Sequence, residues 1–346
     1  MTTIKTGLLA YGVSGKLFHA PFINIHDGYE LIGAWERNAK NITNDYPNTK
    51  SFNTLEELLN SDADLIVVNT PIDTHFQFTK QVLEAGKHAL VEKAFTTTSQ
   101  EAEELHKLAV KNNLKLCVYQ NRRYDSDFRT VKKVLEEKYL GDIVEAEIRF
   151  ERYSPELSLK VWKEKDNLGT GILMDLGSHI IDQALQLFGL PEKIFADIRK
   201  TRESSIIDDY FDILLYYYDK RVRLKASMFV KERTPAYVLH GKKGSFIKHR
   251  GDIQEDELKL GKIPYLNSWG KEPIEKNGHL VTNLLNTNYP TCQGNYRNLY
   301  DELEDAITNN KNVPVSALQA YNTIKIIEGA RESSLKQTII SLELKQ

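Results

Sequence analysis

Cysteine is nearly absent from this chain, with only Cys117 and Cys292 among 346 residues. The two lie far apart and neither has the spacing of a metal knuckle. Two reduced thiols in a cytoplasmic protein fit better than a disulfide framework. Long hydrophobic runs are also missing. No apolar stretch approaches the roughly 18 residues of a membrane span, and no signal peptide is visible behind the polar stub Met1-Thr2-Thr3. Charge of one sign is not in excess. Lys and Arg number 46 against 48 Asp and Glu, so nothing favours nucleic acid or an anionic membrane as partner. Repeats and low-complexity segments are lacking as well. What remains is an ordinary globular composition in a chain longer than one hydrophobic core usually fills, so two domains are expected.

The first 122 residues alternate buried-strand and helix patterns. The run Ile4 to Leu9 is followed by Ala10-Tyr11-Gly12-Val13-Ser14-Gly15, a glycine-rich turn with a helix opening at Lys16. It differs from the dinucleotide fingerprint in its first glycine, which is Ala10. Gly12 is the position where backbone approaches a pyrophosphate, and Gly15 the one where helix and strand pack closely. The next strand, Glu30 to Trp35, ends at Glu36, about 20 residues past the turn, where an acid can accept from a ribose 2′-OH. Arg37 follows, and its guanidinium could meet a 2′-phosphate instead. An apolar run from Ala63 to Asn69 ends in Thr70-Pro71 and then His75, and a later strand ends in Glu92-Lys93. A helix from Ser99, with Ser99 as N-cap, precedes the strand Leu114 to Tyr119. This alternation predicts a doubly wound parallel sheet, with ligands beyond the carboxyl ends of its strands. Gly12, Glu36, Thr70, Lys93 and Asn121 stand at those ends.

The pattern changes after Asn121-Arg122-Arg123. A helix over residues 125–139 leads to longer alternating strands at 143–153, 193–201, 210–218 and 222–230. Asp219-Lys220-Arg221 reads as a hairpin turn, as does Gly241-Lys-Lys-Gly244, so this sheet is antiparallel. The expectation is a dinucleotide-binding domain over 1–122 and an α+β substrate-binding and oligomerisation domain over 123–346.

The chemistry concentrates in Gly171-Ile-Leu-Met-Asp175-Leu-Gly-Ser-His179-Ile-Ile-Asp182-Gln. As a helix it sets Asp175, His179 and Asp182 on one stripe. Three readings fit: a metal site, a proton-transferring pair beside a substrate ligand, or a core histidine held by a carboxylate. On a straight helix Asp175 and Asp182 stand about 10 Å apart along the axis, too far for one ion, so no metal is expected. His179 is the natural acid/base because its ordinary pKa lies near neutrality, and Asp175 could orient it. Lys93 reads either as a solvated lysine paired with Glu92 or as a group suited to proton transfer or a hydrogen bond to a substrate oxygen. Arg122, Arg123, Arg152 and Trp162 could form a polar substrate wall.

Taken together, Ala10-x-Gly12-x-x-Gly15, Thr70-Pro71-x-x-x-His75, Glu92-Lys93 and Asp175-x-x-x-His179 resemble the Gfo/Idh/MocA oxidoreductases over essentially the whole chain. Phe18-His-Ala-Pro21, Asn121-Arg-Arg-Tyr-Asp-Ser-Asp-Phe128 and Ser268-Trp-Gly270 resemble its scyllo-inositol dehydrogenase branch. The resemblance implies a Rossmann domain, an open antiparallel sheet domain that makes homodimers or homotetramers, and hydride transfer between NAD or NADP and a polyol or sugar. It implies Lys93, Asp175 and His179 as catalytic residues. Gly12, Val13, Ser14, Gly15, Glu36, Arg37, Thr70, Pro71, His75, Glu92, Lys93 and Asn121 are expected around the cofactor, and Arg122, Tyr153, Trp162 and Asp182 around the substrate. Ala94 departs from the proline usual after Glu-Lys, a residue linked to a special peptide geometry. The other class of function on this scaffold is a cofactor-sensing regulator without turnover, for which a retained lysine–histidine pair has no use.

Overall fold

The computed structural model describes residues 3–36, 40–158, 164, 166–265 and 267–346. Its chain divides into two compact units: residues 1–121, 254–269 and 295–320 form one, and 122–253, 270–294 and 321–346 the other. A single cut after residue 122 is therefore too simple, because two later segments return to the first unit. Aromatic packing accounts for the return. Phe22 stacks on Tyr300 with ring centroids 5.4 Å apart, and also meets Trp269 and Tyr296. Such pairs add about 0.5–1.5 kcal/mol each beyond their buried area, and no signal in the local sequence announces them.

The first unit holds a six-stranded parallel sheet. Its strands are β1 (Ile4–Leu8), β2 (Tyr29–Trp35), β3 (Lys50–Phe52), β4 (Leu65–Val68), β5 (His88–Glu92) and β6 (Leu116–Tyr119), in the order β3-β2-β1-β4-β5-β6. β4 and β6 are buried throughout, and the middle of β5 likewise, as expected of parallel strands covered on both faces. The order reverses between β1 and β4, the position where doubly wound sheets bind ligands. The helix over Ser99–Lys111 is capped one residue earlier than expected. Thr98 accepts from the Glu101 backbone in a capping box, and Ser99 is the first helical residue.

The second unit holds a nine-stranded sheet. β7 (Ile143–Arg149), β8 (Lys193–Arg199), β9 (Tyr210–Tyr216), β10 (Arg221–Ser227), β11 (Tyr237–Gly241), β12 (Gly244–Lys248), β13 (Gly278–Thr282), β14 (Asn286–Tyr289) and β15 (Ile340–Ser341) run in the order β14-β13-β12-β11-β7-β10-β9-β8-β15. Both expected hairpins are present. One pairing is parallel, β10 with β7, so the sheet is mixed. On β9 and β10 the residues Phe211, Ile213, Leu215, Val222, Leu224 and Ala226 are all buried, while the alternate positions up to Lys225 are partly or fully open. That is the alternation of a sheet with one face on a core. Among the described residues no helix is long and apolar enough to cross a membrane.

Candidate active site

In the first unit, the turn after β1 is shaped for a ligand at one glycine and for packing at the other. A Cβ on Gly12 would meet nothing within 4 Å, whereas a Cβ on Gly15 would stand 2.5 Å from the Ala10 carbonyl oxygen. Glycine at 15 is thus required by the fold. At 12 it leaves backbone open to an incoming group, as a pyrophosphate site demands. Val13 beside it is exposed. Ala10 is not among the residues with positive φ, which explains why alanine is tolerated. Its backbone is held on both sides by Asn69, whose Oδ1 accepts from the Ala10 N–H (3.0 Å) and whose Nδ2 donates to the Ala10 carbonyl (2.7 Å). Asn69 escaped the sequence reading because it passes as the last residue of an apolar strand. From Gly15 to His19 the helix is a π turn, and the α-helix proper covers Ala20–Ile25.

Glu36, His75 and Thr70, all expected at the cofactor, are engaged by the protein itself. Glu36 is buried and accepts from the backbone N–H groups of Asn41 and Ile42 (2.9 and 3.1 Å) and from the Ser51 hydroxyl (3.1 Å). It therefore caps the short helix Ile42–Asp45 instead of waiting for a ribose hydroxyl. His75 is buried, with its ring nitrogens on the carbonyls of Thr70 (2.8 Å) and Phe95 (3.1 Å). Burial pushes its pKa down against the effect of those two carbonyls, and the ring staples the turn after β4. Thr70 shares a hydrogen bond between its hydroxyl and that of Thr74 (2.7 Å). Pro71 is exposed, Asn121 buried, and Arg37 lies outside the described residues.

At the end of β5, Glu92 accepts from the Ser14 hydroxyl and from the Lys93 backbone N–H (3.2 Å), and His19 Nε2 lies 3.0 Å from its Oε1. These groups, with Lys93 nearby, hold its carboxyl below the usual range against the opposing effect of burial. Lys93 is half-buried, and the Lys93–Ala94 peptide is cis with alanine in the place of the usual proline.

In the second unit, the helix with Asp175 and His179 is not one straight α-helix. Leu173–Gly177 is a π turn and Ser178–Phe188 is α-helical. π turns of this kind often mark functional sites. Asp175 sits half-exposed on the π turn, and His179 is buried one residue into the α-helix. Asp182, expected to meet a substrate hydroxyl, is buried and gripped by Arg123, which donates from Nε (2.8 Å) and Nη2 (2.6 Å). A fork-on-carboxylate pair of this kind uses both oxygens, so Asp182 anchors Arg123. Arg122 and Arg152 each approach the Phe150 ring, with guanidinium carbons 5.1 and 5.2 Å from its centre. Arg250 covers the same ring at 4.1 Å, a neighbour the sequence did not suggest. Tyr153 is half-exposed, and Trp162 lies outside the described residues. Among the described residues no three His, Cys, Asp or Glu side chains gather as a metal site would require.

Comparison with known proteins agrees with this geometry. Residues 4–120 match the model of an oxidoreductase family NAD-binding Rossmann fold, and residues 132–342 that family's C-terminal alpha/beta domain. The chain is 38% identical to scyllo-inositol 2-dehydrogenase (NADP(+)) IolW of Bacillus subtilis, covering 99% of this chain and 96% of that protein. The solved structure of the oxidoreductase YvaA from Bacillus subtilis superposes with a TM-score of 0.95 at 38% identity, covering 99% of each chain. An oxidoreductase from Bacteroides fragilis does so at 0.91 and 40% identity, covering 98% of this chain and all of the other. With an open glycine turn for a dinucleotide, both family domains matched and relatives aligned end to end, this chain belongs to the Gfo/Idh/MocA oxidoreductase family and is an NAD(P)-dependent dehydrogenase of a small-molecule substrate.

Proposed function

We propose that the enzyme oxidises a secondary alcohol carbon of a cyclic polyol or sugar, scyllo-inositol among them, and prefers NADP to NAD. The observation that carries the reading is the occurrence in one chain of Lys93 at a strand end of the nucleotide-binding sheet and His179 at a π-to-α junction, with Asp175 a turn before it. The bound nicotinamide supplies the hydride acceptor. His179 takes the hydroxyl proton, Asp175 orients its ring, and Lys93 hydrogen-bonds the substrate oxygen as negative charge develops. Arg122 and Tyr153 are the remaining candidates for holding substrate hydroxyls, while Asp182 contributes through Arg123.

The cofactor preference rests on Glu36. A carboxylate facing the ribose would repel a 2′-phosphate, but this one is turned inward onto backbone donors. Arg37, next in sequence, is then the side chain to read the phosphate. IolW, the relative named for scyllo-inositol, is also named for NADP(+). We further propose a cytoplasmic homodimer or homotetramer joined through the open sheet face, on which Tyr210, Leu214 and Tyr216 alternate with buried neighbours.

Two measurements test this. Fluorescence titration with NADPH and NADH is expected to give at least tenfold tighter binding of NADPH, about 1.4 kcal/mol. Absorbance of the reduced cofactor is then followed with a panel of inositols and aldoses. Turnover of one or more, lost in Lys93→Ala, supports the reading. Tight cofactor binding with no turnover of any polyol would replace it with the regulatory one.

A further inference from the structure

We propose that His19 is carried as a buried imidazolium whose ion pair with Glu92 sets the position and charge environment of Lys93, making His19 a positioning residue of the reaction. The proposal rests on Lys93 acting as described above, and it concerns a histidine to which the sequence reading gave no role.

The hydrogen-bond inventory around His19 assigns the protons. The side chain is fully buried at the end of the π turn that follows the glycine-rich loop. Its Nδ1 lies 2.9 Å from the Tyr300 hydroxyl oxygen. That hydroxyl has one hydrogen and stands 2.7 Å from the Phe18 carbonyl oxygen, which the neighbouring Tyr119 hydroxyl also meets at 3.0 Å. Two oxygens at that separation require a hydrogen between them, so Tyr300 donates to Phe18. Nδ1 must then be the donor to Tyr300, because otherwise two lone pairs would face each other inside the protein. On the other side of the ring, Nε2 lies 3.0 Å from Glu92 Oε1. Ser14 donates to that same oxygen and the Lys93 backbone N–H to the other. Two donors already meet the Glu92 carboxyl, which is held below its usual range and is ionised, and an ionised oxygen 3.0 Å from Nε2 calls for a proton on that nitrogen. Both ring nitrogens are donors, and the ring is charged.

The consequence falls on Lys93. Glu92 is its chain neighbour and binds its backbone N–H. Held by His19, Glu92 is fixed in place and largely neutralised, so Lys93 stands beside a dipole instead of a bare anion. On the elements packed there, Lys16 is paired with Asp45 and Arg297 with Asp301. Tyr119 and Tyr300 lie against the His19 ring, and burial raises the Tyr300 hydroxyl well above its usual value. His75 has both ring nitrogens on carbonyl oxygens, which favours a charged ring, while burial pushes its pKa down, and neither nitrogen meets Glu92. The helix Gln254–Lys259, packed on the same π turn, brings Glu257, which is paired with Lys262 at 3.1 Å. None of these replaces the charge on His19. Ser14 ties the pair to the cofactor turn, so the loop that meets the dinucleotide and the strand that carries Lys93 share one carboxylate.

The test does not need turnover. Protein labelled with ¹⁵N-histidine is studied by NMR at about pH 8, where an ordinary imidazole is neutral. The expected result is a His19 ring with protons on both nitrogens. The ¹³C-methyl signal of reductively methylated Lys93, identified by its loss in Lys93→Arg, is then titrated in wild type, His19→Gln and Glu92→Gln. His19→Gln leaves an uncompensated carboxylate and is expected to move the Lys93 midpoint up by about half a pH unit or more. Glu92→Gln removes the carboxylate and is expected to move it down. A His19 ring with a single proton, or a Lys93 midpoint that both variants leave unchanged or move in one direction, overturns the proposal and leaves His19 a structural strut. If a variant does not fold, the wild-type histidine spectrum decides. Absence of polyol oxidation would count against the proposed reaction and leave this pair standing.

Discussion

Glu36 stands where a ribose-binding acid belongs and spends both oxygens on its own chain. Its position is legible in the sequence but its partners are not, because the backbone donors of Asn41 and Ile42 become available only when the short helix forms behind it. Glu36→Gln should cost about 1–2 kcal/mol of stability in urea unfolding and leave the ratio of NADPH to NADH affinity unchanged. Weakened NADH binding with stability intact would return Glu36 to the cofactor. Asp182 makes the same point. Its bidentate pair with Arg123 is almost wholly buried, so Asp182→Asn should lose about 3–5 kcal/mol by stranding the guanidinium. The double replacement Arg123→Met with Asp182→Leu should recover much of that loss in the same assay. Glu92 adds a pH dependence whose sign is fixed. Its folded-state pKa is depressed, so its contribution is present above the ordinary carboxylate range and is lost as pH falls through the folded value. Urea midpoints measured from neutral to acid pH should fall less steeply in Glu92→Gln than in wild type.

Elements were legible where periodicity is strong. The central parallel strands read as unbroken apolar runs, and the two hairpins of the second sheet carry their turn residues openly. Polar edge strands were not legible. β14 is Asn286-Thr-Asn-Tyr289, with three exposed residues and no apolar alternation to betray it. The π turns at Gly15–His19 and Leu173–Gly177 were equally hidden, since one extra residue per turn leaves no mark on composition. Both nevertheless occur in segments that the motifs had singled out. The cap stands one position before the expected Ser99, because Thr98 and Ser99 are both good caps. The capping box identifies Thr98, so Thr98→Ala should destabilise by about 1 kcal/mol and Ser99→Ala by much less, as compared by thermal unfolding.

At the scale of the whole molecule, the two-part architecture was legible and its discontinuity was not. Segments 254–269 and 295–320 rejoin the first unit through rings far apart in sequence, such as Phe22 and Tyr300, and long-range packing of that sort has no local signature. The first unit carries a glycine turn open to a dinucleotide, and the second carries the Asp175–His179 helix. The account therefore stands or falls on one experiment, in which NADPH formation from scyllo-inositol is compared among wild type, Lys93→Met and His179→Ala, with cofactor dissociation constants measured alongside. The predicted result is turnover by wild type, a fall of about 10²–10⁴-fold in kcat for each variant, and cofactor affinity kept within a few-fold. Turnover by His179→Ala at the wild-type rate would contradict it.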